Sequence, residues 1–164
     1  MKRIIYALDP DVDKSGIAMV NMQARCVHAS TMTFPELIKF LTLQVPQHIK
    51  EGMIVEVVVE CSWDSEHNWH MRTGINHRKA ASLGYDEGRN HEVGRKIVEM
   101  LEYHQIEVKL RRPLRKIWKG PGGKITHEEM TQICGWVHKR SNQEERDAML
   151  LAWDESGLPM RVKI

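Results

Sequence analysis

Four carboxylates stand out by position. Asp9 closes the strand-like run RIIYAL at 3–8, and Glu60 closes MIVEVVVE at 53–60. The valines of that second run suggest a strand buried on both faces, so its terminal acid is more than ordinary surface polarity. Glu144 and Asp147 lie three apart in NQEERDAMLLAW. A helix puts them on one face, with Asp147 at the border of the apolar AMLLA stretch and Glu145 nearly opposite. Each alone has a duller explanation, since acids are favoured in the first turn of any helix. Together they point to chemistry. Converging carboxylates repel one another and raise each other's pKa values, and a hard divalent cation ligated by oxygen relieves the repulsion. Mg²⁺ or Mn²⁺, as two ions, would suit phosphodiester hydrolysis by activating water and stabilising the leaving oxygen.

Asp9 opens LDPDVDKSG, where Asp9, Asp11 and Asp13 alternate as in a calcium loop. An EF-hand loop also needs glycine at its sixth position and glutamate at its twelfth; counting from Asp9 these are Lys14 and Val20. The flanks read as strands, so Asp11 and Asp13 read as the polar turn of a hairpin returning at Gly16. The histidines His67, His70, His77 and His91 with Cys61, and the Cys134/His138 pair, have no regular zinc spacing.

The second concentration of chemistry is basic. VKLRRPLRKIWKGPGGK, 108–124, carries Lys109, Arg111, Arg112, Arg115, Lys116, Lys119 and Lys124 with no acid between them. Such a run can be a solvated face. Its embedded Trp118 and glycines favour a phosphate-binding surface and hence nucleic acid. Arg72, Arg78 and Lys79, farther upstream, could also hold phosphates.

These groups need a scaffold. The chain of 164 residues, with a net charge of only +2, is about one domain, 1–164. No signal peptide and no apolar stretch near the ~20 residues of a membrane helix are visible, so a cytoplasmic protein is expected. Cys26, Cys61 and Cys134 are scattered and odd in number, which argues against a disulfide framework. Strands are expected at 3–8, 16–21, 25–31, 53–60 and 106–110, the first three joined by tight turns into an antiparallel meander. Helices are expected from Phe34 to a stop at Pro46, over about 88–103, from about Thr126, and over about Gln143–Asp154, with a short one around His77–Leu83. Residues 61–90 read as a long polar excursion. The order βββ-α-β-α-β-α-α gives an α/β fold with a mixed sheet and helices on its faces.

With those residues in place, the chain resembles the RuvC-type Holliday-junction resolvases of the RNase H-like (retroviral-integrase-like) superfamily. LDPDVDKSGIAMV is similar to the family's opening hairpin and VEVVVE to the strand that ends in the second carboxylate. ERDAMLLA is similar to the terminal helix bearing the last two. Asp11 stands where the family has glycine, and Glu144 where it more often has Asp or His. The resemblance implies an RNase H-like mixed five-stranded sheet and metal ligation by Asp9, Glu60, Glu144 and Asp147. It implies Lys116 near the scissile phosphate, with Lys124 or His127 as a second basic group. It places Trp63 where an aromatic meets unstacked bases, and makes NHEVGRKIVEML the dimer helix. The implied activity is metal-dependent resolution of four-way DNA junctions by a homodimer, through paired symmetric nicks leaving 5′-phosphate and 3′-hydroxyl. A nuclease of the same fold acting on flaps, forks or RNA, or an inactive DNA-binding module, remains the alternative.

Overall fold

The computed structural model describes residues 2–64, 76–136, 138 and 140–160. Strands β1 (Arg3–Asp9), β2 (Ser15–Asn21) and β3 (Cys26–Met32) form the expected meander. They are followed by α1 (Phe34–Lys50), β4 (Ile54–Glu60), α2 (His77–Tyr103) and β5 (Val108–Arg111), then α3 (His127–Cys134) and α4 (Gln143–Ser156). The five-stranded mixed sheet has the order β3-β2-β1-β4-β5. β1 pairs antiparallel with β2 and parallel with β4, and β4 pairs parallel with β5. This is the sheet that the resemblance implies.

Strand alternation sorts the core into two layers. Ile4, Tyr6 and Leu8 of β1 pack with Val57 and Val59 of β4 against α1 and α2. Ile5, Ala7 and Val58 point to the other face, onto Met130 and Ile133 of α3 and the apolar side of α4. By the same alternation, Asp9 and Glu60 leave the ends of β1 and β4 on the α3/α4 face. The pairing Leu8↔Val59 sets the two acids side by side at the carboxyl ends of neighbouring parallel strands.

Two boundaries differ from expectation. Pro46 does not stop α1, which runs on to Lys50. Pro46 is exposed, so the carbonyl left without its intrahelical partner lies on the solvent side, where water can satisfy it. The excursion is also shorter than 61–90. One helix of 27 residues absorbs both the short segment at His77 and the later one. Asn76 starts it by accepting a hydrogen bond from the Lys79 N–H at 2.9 Å. Its first ten residues are exposed except for half-buried Ala80, so no apolar period joined the short helix expected around His77–Leu83 to the later one.

Among the described residues, no helix is long and apolar enough to cross a membrane. Cys26, Cys61 and Cys134 are free thiols.

Candidate active site

A cleft of about 200 Å³ opens beyond the carboxyl ends of β1 and β4, and Asp9, Glu60, Glu144, Asp147, Lys116 and Lys124 all line it. Residues more than a hundred positions apart meet there for identifiable reasons. The first turn of α4 lies directly on the start of β2. A Cβ on Gly16 would fall 2.1 Å from the Glu144 carbonyl oxygen, so only glycine lets the acid-bearing turn come down beside Asp9. The sequence had explained Gly16 by the hairpin return; the helix above it is the stronger reason.

Arg146 fixes that same turn from behind. Its guanidinium donates to the Ile125 carbonyl at 3.0 Å, the Ser141 carbonyl at 2.6 Å and the Gln143 side-chain oxygen at 2.9 Å. Gln143 in turn donates to Asp147 Oδ1 at 2.7 Å. The other carboxylate oxygen of Asp147 faces the Lys124 ammonium at 3.9 Å.

The two cleft lysines come together because the chain between them doubles back. Trp118 N–H donates to the Gly123 carbonyl at 3.0 Å, and Gly120 N–H to the Lys124 carbonyl at 2.9 Å. Gly123 has φ +76°, and a Cβ there would lie 2.4 Å from the Lys116 carbonyl oxygen, so the turn requires glycine twice over. Leu114 and Trp118 press this loop onto the α4-side core.

Glu129, in the first turn of α3, ties the loop to that helix. It is buried, and it accepts from the Lys119 N–H at 3.2 Å, the Thr126 N–H at 3.0 Å and the Thr126 hydroxyl at 3.1 Å. Burial pushes its carboxyl up, but these bonds outweigh that and hold it below the usual range.

The electrostatics of the acids are opposite. Burial and the charges of Glu60, Asp147 and Glu144 push Asp9 well above an ordinary aspartate, with Lys124 opposing. Burial and Asp147 push Glu60 up to about 7, against Lys116 and Lys124. Burial likewise raises Asp147, offset in part by its Gln143 hydrogen bond and by Lys124. An oxygen-only donor set of mutually repelling, partly desolvated carboxylates fits a hard divalent cation. Among the described residues, no three His, Cys, Asp or Glu side chains already form a closed cage, so the acids line the cleft in an open arrangement.

The remaining expected residues divide. His127 is not a cleft residue: its Nδ1 is 2.8 Å from the Ser141 hydroxyl and its ring lies against Trp136. Of the two basic alternatives, Lys124 is the one in the cleft. Asp11 lines the cleft, but its Oδ1 accepts from the Asp13 N–H at 2.9 Å, and its own N–H donates to the Ser15 hydroxyl at 3.1 Å. That carboxylate shapes the turn, and Asp13 is exposed.

Arg111 is engaged by Asp154 at 2.9 Å and Glu155 at 3.4 Å, Lys109 by Glu155, and Arg112 by Asp64 at 3.8 Å. These clasp the end of α4 and the segment after β4. Arg115, Lys116 and Lys119 remain exposed. Lys79 sits in the first turn of α2. Trp63 packs its ring against Gly94 of α2, where a Cβ would lie 2.3 Å away. Arg72, His67 and His70 lie outside the described residues. One cleft residue went unnoticed in the sequence: Asn90 of α2 accepts the Val12 N–H at 3.0 Å, holding the turn after Asp9. An asparagine in mid-helix carries no signal for that.

Among solved structures, the chain is similar to RuvC of Thermus thermophilus. RuvC in complex with a Holliday junction substrate is 12% identical over 98% of this chain and 99% of that chain, with a TM-score of 0.47. A second RuvC structure from the same organism is 15% identical over 92% and 91% of the two chains, with a TM-score of 0.46. No protein-family model and no curated protein matches the sequence.

Proposed function

We propose that this chain is a divalent-metal-dependent DNA endonuclease that resolves four-way junctions by paired symmetric nicks. The observation that carries the reading is the meeting of four carboxylates and two lysines in one cleft at the ends of β1 and β4. Asp9, Glu60, Glu144 and Asp147 would hold Mg²⁺ or Mn²⁺, with two ions relieving their mutual repulsion more fully than one. When bound, the ions would supply Lewis acidity toward water and the scissile phosphate.

The chain's own groups do the rest. Lys116 and Lys124 face the negative charge that grows on the phosphate oxygens during attack. Gln143 and Arg146 keep Asp147 oriented. Arg115 and Lys119 track the backbone on either side of the cleft. Hydrolysis adds water across the P–O3′ bond: the water oxygen joins phosphorus, the P–O3′ bond breaks, and the departing oxygen takes a proton. The products are a 5′-phosphate and a 3′-hydroxyl.

A homodimer presents two such clefts to a two-fold substrate. The apolar stripe of α2 is not free for this contact, because Ile97 and Leu101 are buried on the chain's own sheet. The face of α2 opposite Ile97 and Leu101, over about 88–103, is the surface proposed for a second copy.

The test is cleavage of matched four-way junction, fork, flap and linear duplex DNA, with and without Mg²⁺. Symmetric junction nicks that require Mg²⁺, and that vanish in Asp9→Asn while junction binding persists, are expected. Preferential cutting of forks or flaps would transfer the assignment to another nuclease of this fold. Full cleavage by Asp9→Asn would overturn it.

A further inference from the structure

We infer that Ile117 is an apolar wedge by which the basic loop recognises an opened base step in DNA; this rests on the DNA-cleaving function proposed above. Ile117 is 75% exposed, although it lies between two residues, Lys116 and Trp118, that both line the acidic cleft. Single exposed apolar side chains are common and need no explanation by themselves. Here three further observations bear on it.

The loop is rigid where Ile117 sits. Leu114 and Trp118 are packed into the α4-side core. The Trp118 and Lys119 N–H groups are bonded to the Gly123 carbonyl and the Glu129 carboxylate. Its neighbours Arg115, Lys116 and Lys119 are all exposed cations, so Ile117 is the apolar centre of a surface that attracts phosphates. Both of its chain neighbours line the cleft proposed to cut the strand, so DNA bound in that cleft runs close to this side chain.

An aliphatic side chain pushed against a continuous duplex must first unstack a base step. At a branch point the stacking is already interrupted, and the same contact simply buries apolar surface. A fixed wedge therefore favours branched over linear DNA without reading sequence, and makes Ile117 a specificity-determining residue separate from the metal-binding acids.

The experiment measures binding in EDTA, which prevents cleavage. Full-length wild type, Ile117→Ala and Ile117→Met are titrated with a four-way junction and with a linear duplex of equal length. A 2-aminopurine base at the branch point reports unstacking. Ile117→Ala is expected to bind the junction about tenfold more weakly, with linear-duplex affinity unchanged. The 2-aminopurine signal should fall with it, and Ile117→Met should restore both. Equal junction affinity in wild type and Ile117→Ala, or an equal loss on both DNAs, overturns the wedge. If the wild type itself binds no junction, the proposed function fails and the wedge with it; if the wild type prefers the junction and Ile117→Ala matches it, only the wedge fails.

Discussion

At the scale of single residues, Asp9 and Glu60 are held where their charge is unwelcome, and this has a sign in pH. Both carboxyls are raised in the folded chain, Glu60 to about 7. A raised acid binds more protons folded than unfolded. Its favourable contribution is therefore complete below the unfolded value near 4.5 and is lost as pH climbs through the folded value. The chain without divalent ions is expected to melt at progressively lower temperature between about pH 4.5 and pH 7.5. Glu60→Gln removes one of the repelling charges, so it should flatten that slope and raise the melting temperature at pH 8 while abolishing cleavage. Mg²⁺ should stabilise the wild type more at pH 8 than at pH 5.5, because an ion that binds only the folded, ionised site adds to stability by mass action. Melting curves across pH check all three; a wild-type melting temperature that rises from pH 5 to pH 8 without metal would contradict the electrostatics of the cleft. Glu129 makes the contrast clear: it is buried, yet its hydrogen bonds hold its carboxyl below the usual range and it shapes the loop rather than the reaction.

At the scale of elements, the cleft depends on two close approaches that only glycine permits. Gly16→Ala would drive a methyl into the Glu144 carbonyl at 2.1 Å. Overpacking against backbone costs about 1–3 kcal/mol, and here the strain falls on the turn that carries Glu144 and Asp147. Gly16→Ala should therefore lower the melting temperature and depress kcat far more than DNA affinity. Arg146→Ala removes the guanidinium that ties α4 to the Ile125 and Ser141 carbonyls and should cost roughly 2–4 kcal/mol, again with loss of cleavage. Chemical denaturation and single-turnover cleavage read the two effects separately.

Much at this scale was legible in the sequence. Near-continuous apolar runs and their terminal acids marked β1 and β4, and E-x-x-D before AMLLA marked the start of α4. The limits have physical causes. The first half of α2 is solvated all round, so hydrophobic periodicity could not join the short helix expected around His77–Leu83 to the one after it. Pro46 faces water, where a missing hydrogen bond is tolerated. That Arg111 and Arg112 meet acids from Asp64, Asp154 and Glu155 was not visible, because a linear run of cations does not show which acids fold back onto it. That Lys124 and not His127 lines the cleft follows from the loop's backbone bonds, which no spacing rule contains.

At the scale of the whole molecule, a net charge of +2 hides a division of labour: acids gathered in the cleft, unpaired cations on its rim. Affinity for DNA should then be strongly salt-dependent, and removing Arg115 or Lys119 should lower the slope of log K against log salt by about one each, for junction and linear DNA alike. The stoichiometry of cutting follows from the same geometry. One chain carries one acidic cleft, so paired nicks need two copies bound to one junction. Asp9→Asn keeps the shape of the chain and silences its cleft, which makes it a counting device. When wild type and Asp9→Asn are mixed in equal amounts and allowed to exchange, random pairing leaves about a quarter of the dimers with two live clefts, and about half with one. Resolved duplexes should fall to about that quarter while singly nicked junctions accumulate. A fall to one half with no nicked intermediate would mean that a single chain cuts both strands, and the two-fold arrangement through the outer face of α2 would have to be abandoned.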